Sequence, residues 1–536
     1  MAKDGSKTPL EELQEQLGEA LRSGNFKVVG NPPNHPPEKP ASQPVATPPS
    51  DDSEAVLERI RAFNLKPREV RDYLERFVIQ QAEAKKVLSV AICDHYNHVR
   101  QCLEQPKLRE REYHKQNILL LGPTGVGKTY LMRTIAKLIG VPFVKADATK
   151  FSETGYVGAD VEDLVRDLYK VSGQNAELAQ YGIVYIDEID KIASARNVGG
   201  KDVSGRGVQI NLLKMMEETD VNLASPTDMM AQMQAMMEAS RGGKPRPRTL
   251  NTRHILFIVS GAFDQLSESV KKRVEASSVG FGGNAAIAER PASAYLHQVE
   301  TEDLIKYGFE PEFIGRLPVR VACDALTTQD LSGIMRGSEG NILEQYQHDF
   351  RGYDIDFSLT TEAVEAIAER AHKEGTGARG LMTIFERVFR NFKFELPSTG
   401  IKSFEVTAET VENPAEAMKT LLKVNAGIQR ACLRGELDDF AARFEAAHDL
   451  KLSFTAEAAE VLIDAAIETD KTIRSICEER FKDFVHGLSI VSRNTGESTF
   501  IVDAAMAADP DGELSKKVVS SFAHRSGAPG GETETE

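Results

Sequence analysis

Gly122-Pro-Thr-Gly-Val-Gly-Lys-Thr129 follows the pattern G-x-x-x-x-G-K-[ST], in which a glycine-rich turn closes backbone N–H groups around phosphate oxygens. Gly122, Pro123, Thr124, Gly125, Val126 and Gly127 would form the cradle. Lys128 would reach the β and γ oxygens, Thr129 would ligate magnesium, and Tyr130 would open the following helix, whose positive N-terminal end adds to the site. Further on, Ile183-Val-Tyr-Ile-Asp187-Glu188 puts two carboxylates at the end of four apolar residues. Read alone, such a pair is a solvated strand end. Behind a phosphate loop it assigns Asp187 to the metal shell and Glu188 to the base that polarises water. The chemistry implied is hydrolysis of a nucleoside triphosphate, with Mg²⁺ as the expected cofactor.

Such a loop needs a strand before it and a helix after it, and the surrounding pattern supplies both. Asn117 to Gly122, Pro142-Phe-Val-Lys-Ala, Gly182 to Asp187 and His254 to Ser260 are short runs, apolar on both faces and separated by helical spacing. That is the signature of parallel central strands in a three-layer α/β domain. Helical spacing also runs from Glu54 to about Leu103, and after about residue 320 the pattern is mainly helical.

The chain has 536 residues, 41% hydrophobic and 27% charged, with no apolar run long enough to span a membrane. Its net charge of −16 argues against nucleic acid as a partner. The five cysteines form no C-x-x-C pair, so zinc is not expected, and the N-terminus has no secretory pattern, which predicts a cytoplasmic protein. Residues 8–24 read as an amphipathic helix striped by Leu10, Leu13, Leu17 and Leu21, followed by a linker with eight of the 23 prolines.

From about Lys66 to Gly400 the chain resembles the ClpX family of AAA+ ATPases, hexameric unfoldases that feed the peptidase ClpP. Phe77-Val78-Ile79-Gln80-Gln81 is similar to the adenine-pocket box, with Gln80 where the family has glycine, and implies that Val78 and Ile79 bind the base. Gly155-Tyr156-Val157-Gly158 resembles the axial pore loop that grips polypeptide, and the segment from Lys201 to Gln209 resembles the second pore loop. Ser260 takes the position of a γ-phosphate sensor, or else is a buried strand-end hydroxyl. The resemblance implies that Arg316, in Glu312-Phe-Ile-Gly-Arg-Leu-Pro, is an arginine finger acting on a neighbouring subunit, and that Arg379, in Gly377-Ala-Arg-Gly, is a sensor arginine from the small domain. Val279-Gly280-Phe281 matches the loop that docks on ClpP, with a locally packed turn as the other reading. The implied partners are a homohexamer, a ClpP-type peptidase and unfolded or tagged protein substrates, with no membrane and no nucleic acid. A remodelling chaperone without peptidase is the first alternative, and a nucleic-acid motor the second.

The fold class expected is therefore α/β: an AAA+ P-loop NTPase large domain, a mainly helical small domain and an extra C-terminal domain. The expected division is 1–50 helix and linker, 51–320 large domain, 321–412 small domain, 413–508 extra domain and 509–536 disordered tail. Three features depart from the family: the absent zinc module, a methionine-rich insert with Met229, Met233 and Met236 on one helical face, and the extra C-terminal sequence. The insert suggests either an adapted substrate-intake surface or local packing. At an offset of 95, Tyr353 to Glu365 lies over His448 to Glu460 with Asp, Ser, Thr, Glu, Ala and Glu coinciding, and Arg474 lies over Arg379. Residues 440–507 then read as a divergent second copy of the small domain, or as convergent helical patterning.

Overall fold

The apolar runs form β1 (Ile118–Leu121), β2 (Phe143–Asp147) and β3 (Ile183–Asp187). A short antiparallel pair comes next, β4 (Asp220–Asn222) and β5 (Thr249–Asn251), then β6 (Leu256–Gly261). With β7 (Val319–Ala322), the first three strands and β6 build a five-stranded sheet in the order β2-β3-β6-β1-β7, parallel throughout. The α/β expectation holds. β7 lies at the end of the stretch read as large domain and carried no strand expectation, because its four residues include Arg320 and only half are buried. The computed structural model describes residues 53–111, 113–152, 159–193, 203–223, 249–278 and 292–525. The expected pore residues Tyr156, Val157 and Lys201, the docking residues Val279, Gly280 and Phe281, the Leu-striped helix, the methionine-rich insert and the final residues lie outside them.

Strand alternation divides the core between the two faces of the sheet. Ile118, Leu120, Ile183, Tyr185 and Ile258 pack with the helices Ala82–Glu104 and Lys128–Ile139, while Leu119, Leu121, Val184, Ile186 and Val259 pack with Asp163–Val171 and Val203–Met216. Burial on both faces explains why these strands read as continuous apolar runs. All five cysteines are free thiols.

Beyond the sheet lie the helices Thr328–Gly337 and Ile342–Arg351, β8 (Asp356–Leu359), the helices Thr361–Lys373 and Ala378–Glu395, β9 (Ser403–Val406), and the helices Ala408–Glu412 and Pro414–Val424. β8 and β9 pair in parallel, over a core in which the rings of Phe357 and Phe389 are 4.7 Å apart and those of Phe350 and Phe357 5.2 Å apart. A similar order follows. Helix Ala426–His448 leads to β10 (Lys451–Phe454), helices Ala456–Thr469, Ile473–Arg480 and Phe484–Thr495, β11 (Thr499–Val502), and helices Ala504–Ala508 and Pro510–Arg525.

β10 and β11 are parallel, with Leu452 opposite Phe500 as Phe357 is opposite Phe404. Thr360 and Thr455 each accept a cap bond from the N–H three residues on, at 3.2 Å in both. Thr360 N–H bonds to Val406 O and Thr455 N–H to Val502 O, both at 3.0 Å. The two units differ before the first strand, where two helices stand in one and the single helix Ala426–His448 in the other, and again where the single helix Ala378–Glu395 is matched by two helices broken at residues 481–483.

Two expected boundaries move. Met418 is buried in the core shared with the first helical unit, so the helix Pro414–Val424 packs with that unit and not with the second one. The tail expected from residue 509 instead starts as the helix Pro510–Arg525, whose Leu514 is buried against Gly487.

Candidate nucleotide site

The glycine-rich turn leaves the C-terminal end of the fully buried β1 and enters the helix Lys128–Ile139. Three of its residues have left-handed or extended positive φ: Gly122 at +144°, Gly125 at +75° and Gly127 at +96°. A Cβ on Gly122 would lie 2.6 Å from Cys323 O and one on Gly125 2.0 Å from Thr376 O, so these positions need glycine on two counts. Lys128 is buried, and its ammonium donates to Gly122 O at 2.5 Å and Pro123 O at 2.8 Å. Burial holds its pKa below the usual lysine range. A cation folded onto its own loop in this way is placed to exchange carbonyl oxygens for phosphate oxygens.

The acidic end of β3 meets the start of that helix. Thr129 donates to Asp187 Oδ2 at 3.1 Å, and Ser260, fully buried at the end of β6, donates to Asp187 Oδ1 at 2.7 Å. Burial alone would raise the Asp187 pKa, but bonds from Ser260, Lys145 and Thr129 outweigh it and hold the carboxyl below the usual range. Thr129 and Asp187 therefore present adjacent oxygens, one hydroxyl and one ionised carboxylate, a donor set suited to Mg²⁺. Glu188, next along the chain, is exposed and sits at φ +57°. Partial burial, then Asp147, Asp187 and Asp190, raise its pKa, as suits a proton acceptor.

Two polar residues with no assigned part in the sequence reading belong to this cluster. Tyr185 OH lies 2.6 Å from Ser260 Oγ and 3.2 Å from Thr129 Oγ1, and Lys145 Nζ lies 3.1 Å from Asp187 Oδ2. The available signal was a hydroxyl and an ammonium inside strands that are otherwise apolar.

The first helical unit closes over the turn. Ala378 N–H donates to Gly125 O at 2.9 Å, and Gly377 at φ +60° leaves room for only a hydrogen beside Gly125 O. This places Arg379, exposed in the first turn of its helix, on the Lys128 side. Val78 is buried with Cγ1 3.8 Å from the Cβ position of Gly127, and Ile79 touches Gly333 of the helical unit. Gln80 and Gln81 have φ of +61° and +60°, a conformation easy for the glycine that resemblance expects at position 80.

Gln80 Oε1 is buried with no partner among the described residues, an acceptor open to a ligand's amino group. Gln81 clamps the entry to the helical unit through two 2.8 Å bonds with Asp324. Arg76 and Glu339 form a second clasp at 2.7 and 3.0 Å.

Arg316 is not brought to this cluster. It precedes β7, at the end of the sheet where strands begin, and pairs with Glu217 at 2.6 Å. Tyr156, Val157, Lys201, Val279, Gly280 and Phe281 receive no placement.

The model of the AAA domain (Cdc48 subfamily) matches residues 113–320. The chain is 41% identical over 356 residues to the ATP-dependent Clp protease ATP-binding subunit ClpX of Borrelia duttonii (strain Ly), covering 65% of this chain and 78% of that protein. It is 38% identical over 364 residues to the protein of the same name from Treponema denticola, covering 66% and 83%. With the glycine turn, the paired carboxylates and the closing helical unit in place, this likeness extends over most of both relatives, and the chain belongs to the ClpX family of AAA ATPases.

Proposed function

We propose that this protein is an ATP-driven unfoldase subunit that works in a hexameric ring and passes polypeptide to a ClpP-type peptidase. The observation that carries the reading is the joint built at Gly125 and Gly377, where the phosphate turn and the helical unit touch through backbone alone. In this reading a phosphate held by the turn shifts that contact, so that nucleotide state biases the angle between the two units.

In this reading the turn's N–H groups and Lys128 hold the triphosphate, and Arg379 senses it from the helical unit. Thr129 and Asp187 hold Mg²⁺, which when bound neutralises charge developing on the transferred phosphoryl group. Glu188 accepts the proton of the attacking water, and Ser260 holds Asp187 in orientation. Val78 and Ile79 line the base pocket, where Gln80 Oε1 offers an acceptor to an amino group. Arg316 leaves Glu217 to complete a neighbour's site. Tyr156, Val157 and Lys201 grip substrate, Val279, Gly280 and Phe281 engage the peptidase, and residues 426–525 are a second copy of the helical unit without a phosphate turn.

The decisive test pairs two variants. Glu188→Gln is expected to bind ATP with near-parental affinity while losing hydrolysis by at least about a hundredfold, the usual worth of a positioned base. Tyr156→Ala is expected to hydrolyse ATP but not to unfold a tagged substrate. Parental unfolding by Tyr156→Ala would remove the pore assignment. Failure to bind ClpP would leave a peptidase-independent remodelling chaperone.

A further inference from the structure

The ammonium paired with the metal-site carboxylate is not that of the phosphate turn. Lys128 is turned onto Gly122 and Pro123, whereas Lys145 Nζ is 3.1 Å from Asp187 Oδ2, the oxygen that Thr129 also bonds. Strand register explains the approach. Lys145 of β2 is opposite Tyr185 of β3, and Asp147 is opposite Asp187, so alternation places Lys145, Tyr185 and Asp187 on one face. The Lys145 stem then runs past the Tyr185 ring, with Nζ 6.0 Å from its centroid, and the head reaches the acidic end of the neighbouring strand. Lys145 is 30% exposed and Asp187 18%, so the pair is screened less than a surface ion pair.

We propose that Lys145 is a resident counter-cation of the triphosphate site. Asp187, Glu188 and Asp190 crowd negative charge where a polyanion must enter. One ammonium in contact with Asp187 lowers that barrier before any divalent ion arrives, and the same charge opposes the ion at Asp187. Lys145 therefore favours nucleotide binding without metal and raises the metal concentration needed to fill the site. Its effect is electrostatic, so arginine should replace it and methionine should not.

The inference rests on the reading of this cluster as a nucleotide site, and the experiment separates the two. Binding of mant-ATP to the full chain is measured in EDTA and in Mg²⁺ for the parent, Lys145→Met and Lys145→Arg, and Mn²⁺ binding in the presence of nucleotide is followed by electron paramagnetic resonance. Lys145→Met is expected to weaken mant-ATP binding in EDTA about tenfold, the scale of one partly screened charge, and to tighten Mn²⁺ several-fold. Lys145→Arg should stay near the parent in both.

Unchanged mant-ATP affinity in EDTA for Lys145→Met would overturn the proposal while leaving the nucleotide site intact. An equal loss in Lys145→Arg would mark a packing effect and overturn it as well. A parent that binds no mant-ATP even with Mg²⁺ would overturn the underlying site reading together with it.

Discussion

At Gly377 two separate constraints meet on one residue. Its backbone sits at φ +60° and ψ −142°, and a Cβ there would lie 2.7 Å from Gly125 O. Gly377→Ala should therefore fold, with strain of about 1–3 kcal/mol, yet push the helical unit off the phosphate turn. Its ATPase rate is expected to fall at least about tenfold, the effect of about 1.4 kcal/mol at the transition state, with a smaller change in melting temperature. Parental turnover in a steady-state assay would show that this contact does not link the units. The motif around Gly377 was legible in the sequence, as were Lys128, Thr129, Asp187 and Glu188, because their chemistry is encoded within a few neighbouring residues. Lys145 was not, since a lone lysine in an apolar run gives no hint of which carboxylate it will meet.

Among the elements, the helix Ala82–Glu104 carries a group whose ionisation opposes folding. His95 is fully buried, its ring 5.0 Å from that of Tyr96 and edge-on to it, with His98, Lys115 and His254 nearby. Burial first, then these cations and imidazoles, push its pKa from 6.5 to about 3. The unfolded chain takes up this proton below pH 6.5 and the folded chain does not, so its contribution to stability is full above 6.5 and is lost as pH falls toward 3. Urea midpoints measured from pH 7 to pH 5 should drop less steeply for His95→Gln than for the parent, and equal slopes would refute the assignment. Helical spacing over this region was readable from sequence, and the structure divides it into Ser53–Arg61, Pro67–Glu75 and Ala82–Glu104. Which histidine would be sealed in was not readable, because that depends on helix packing against the His254 segment.

For the whole molecule, the two helical units show how a similar arrangement of elements can differ at one contact. The second helical unit has the same parallel strand pair and threonine cap, but at the offset of 95 Thr472 stands opposite Gly377, and Arg474 is bound to Glu478 at 2.6 Å. With extended backbone at Thr472 and a Cβ in place, the close approach made by Gly377 has no counterpart. A chain ending at Asn425, which retains Met418 in the first core, is expected to keep its ATPase within about twofold, as a unit with its own core permits. Loss of hydrolysis in that truncation, with the ring intact, would place the second copy in the motor cycle.

The central strand runs, the phosphate turn and its acidic partner could all be read along the chain, because apolar periodicity and short-range spacing are local properties. The pairing of Lys145 with Asp187, of Arg316 with Glu217 and of Gly377 with Gly125 arose from folding alone, since each joins residues far apart in sequence through strand register or domain closure.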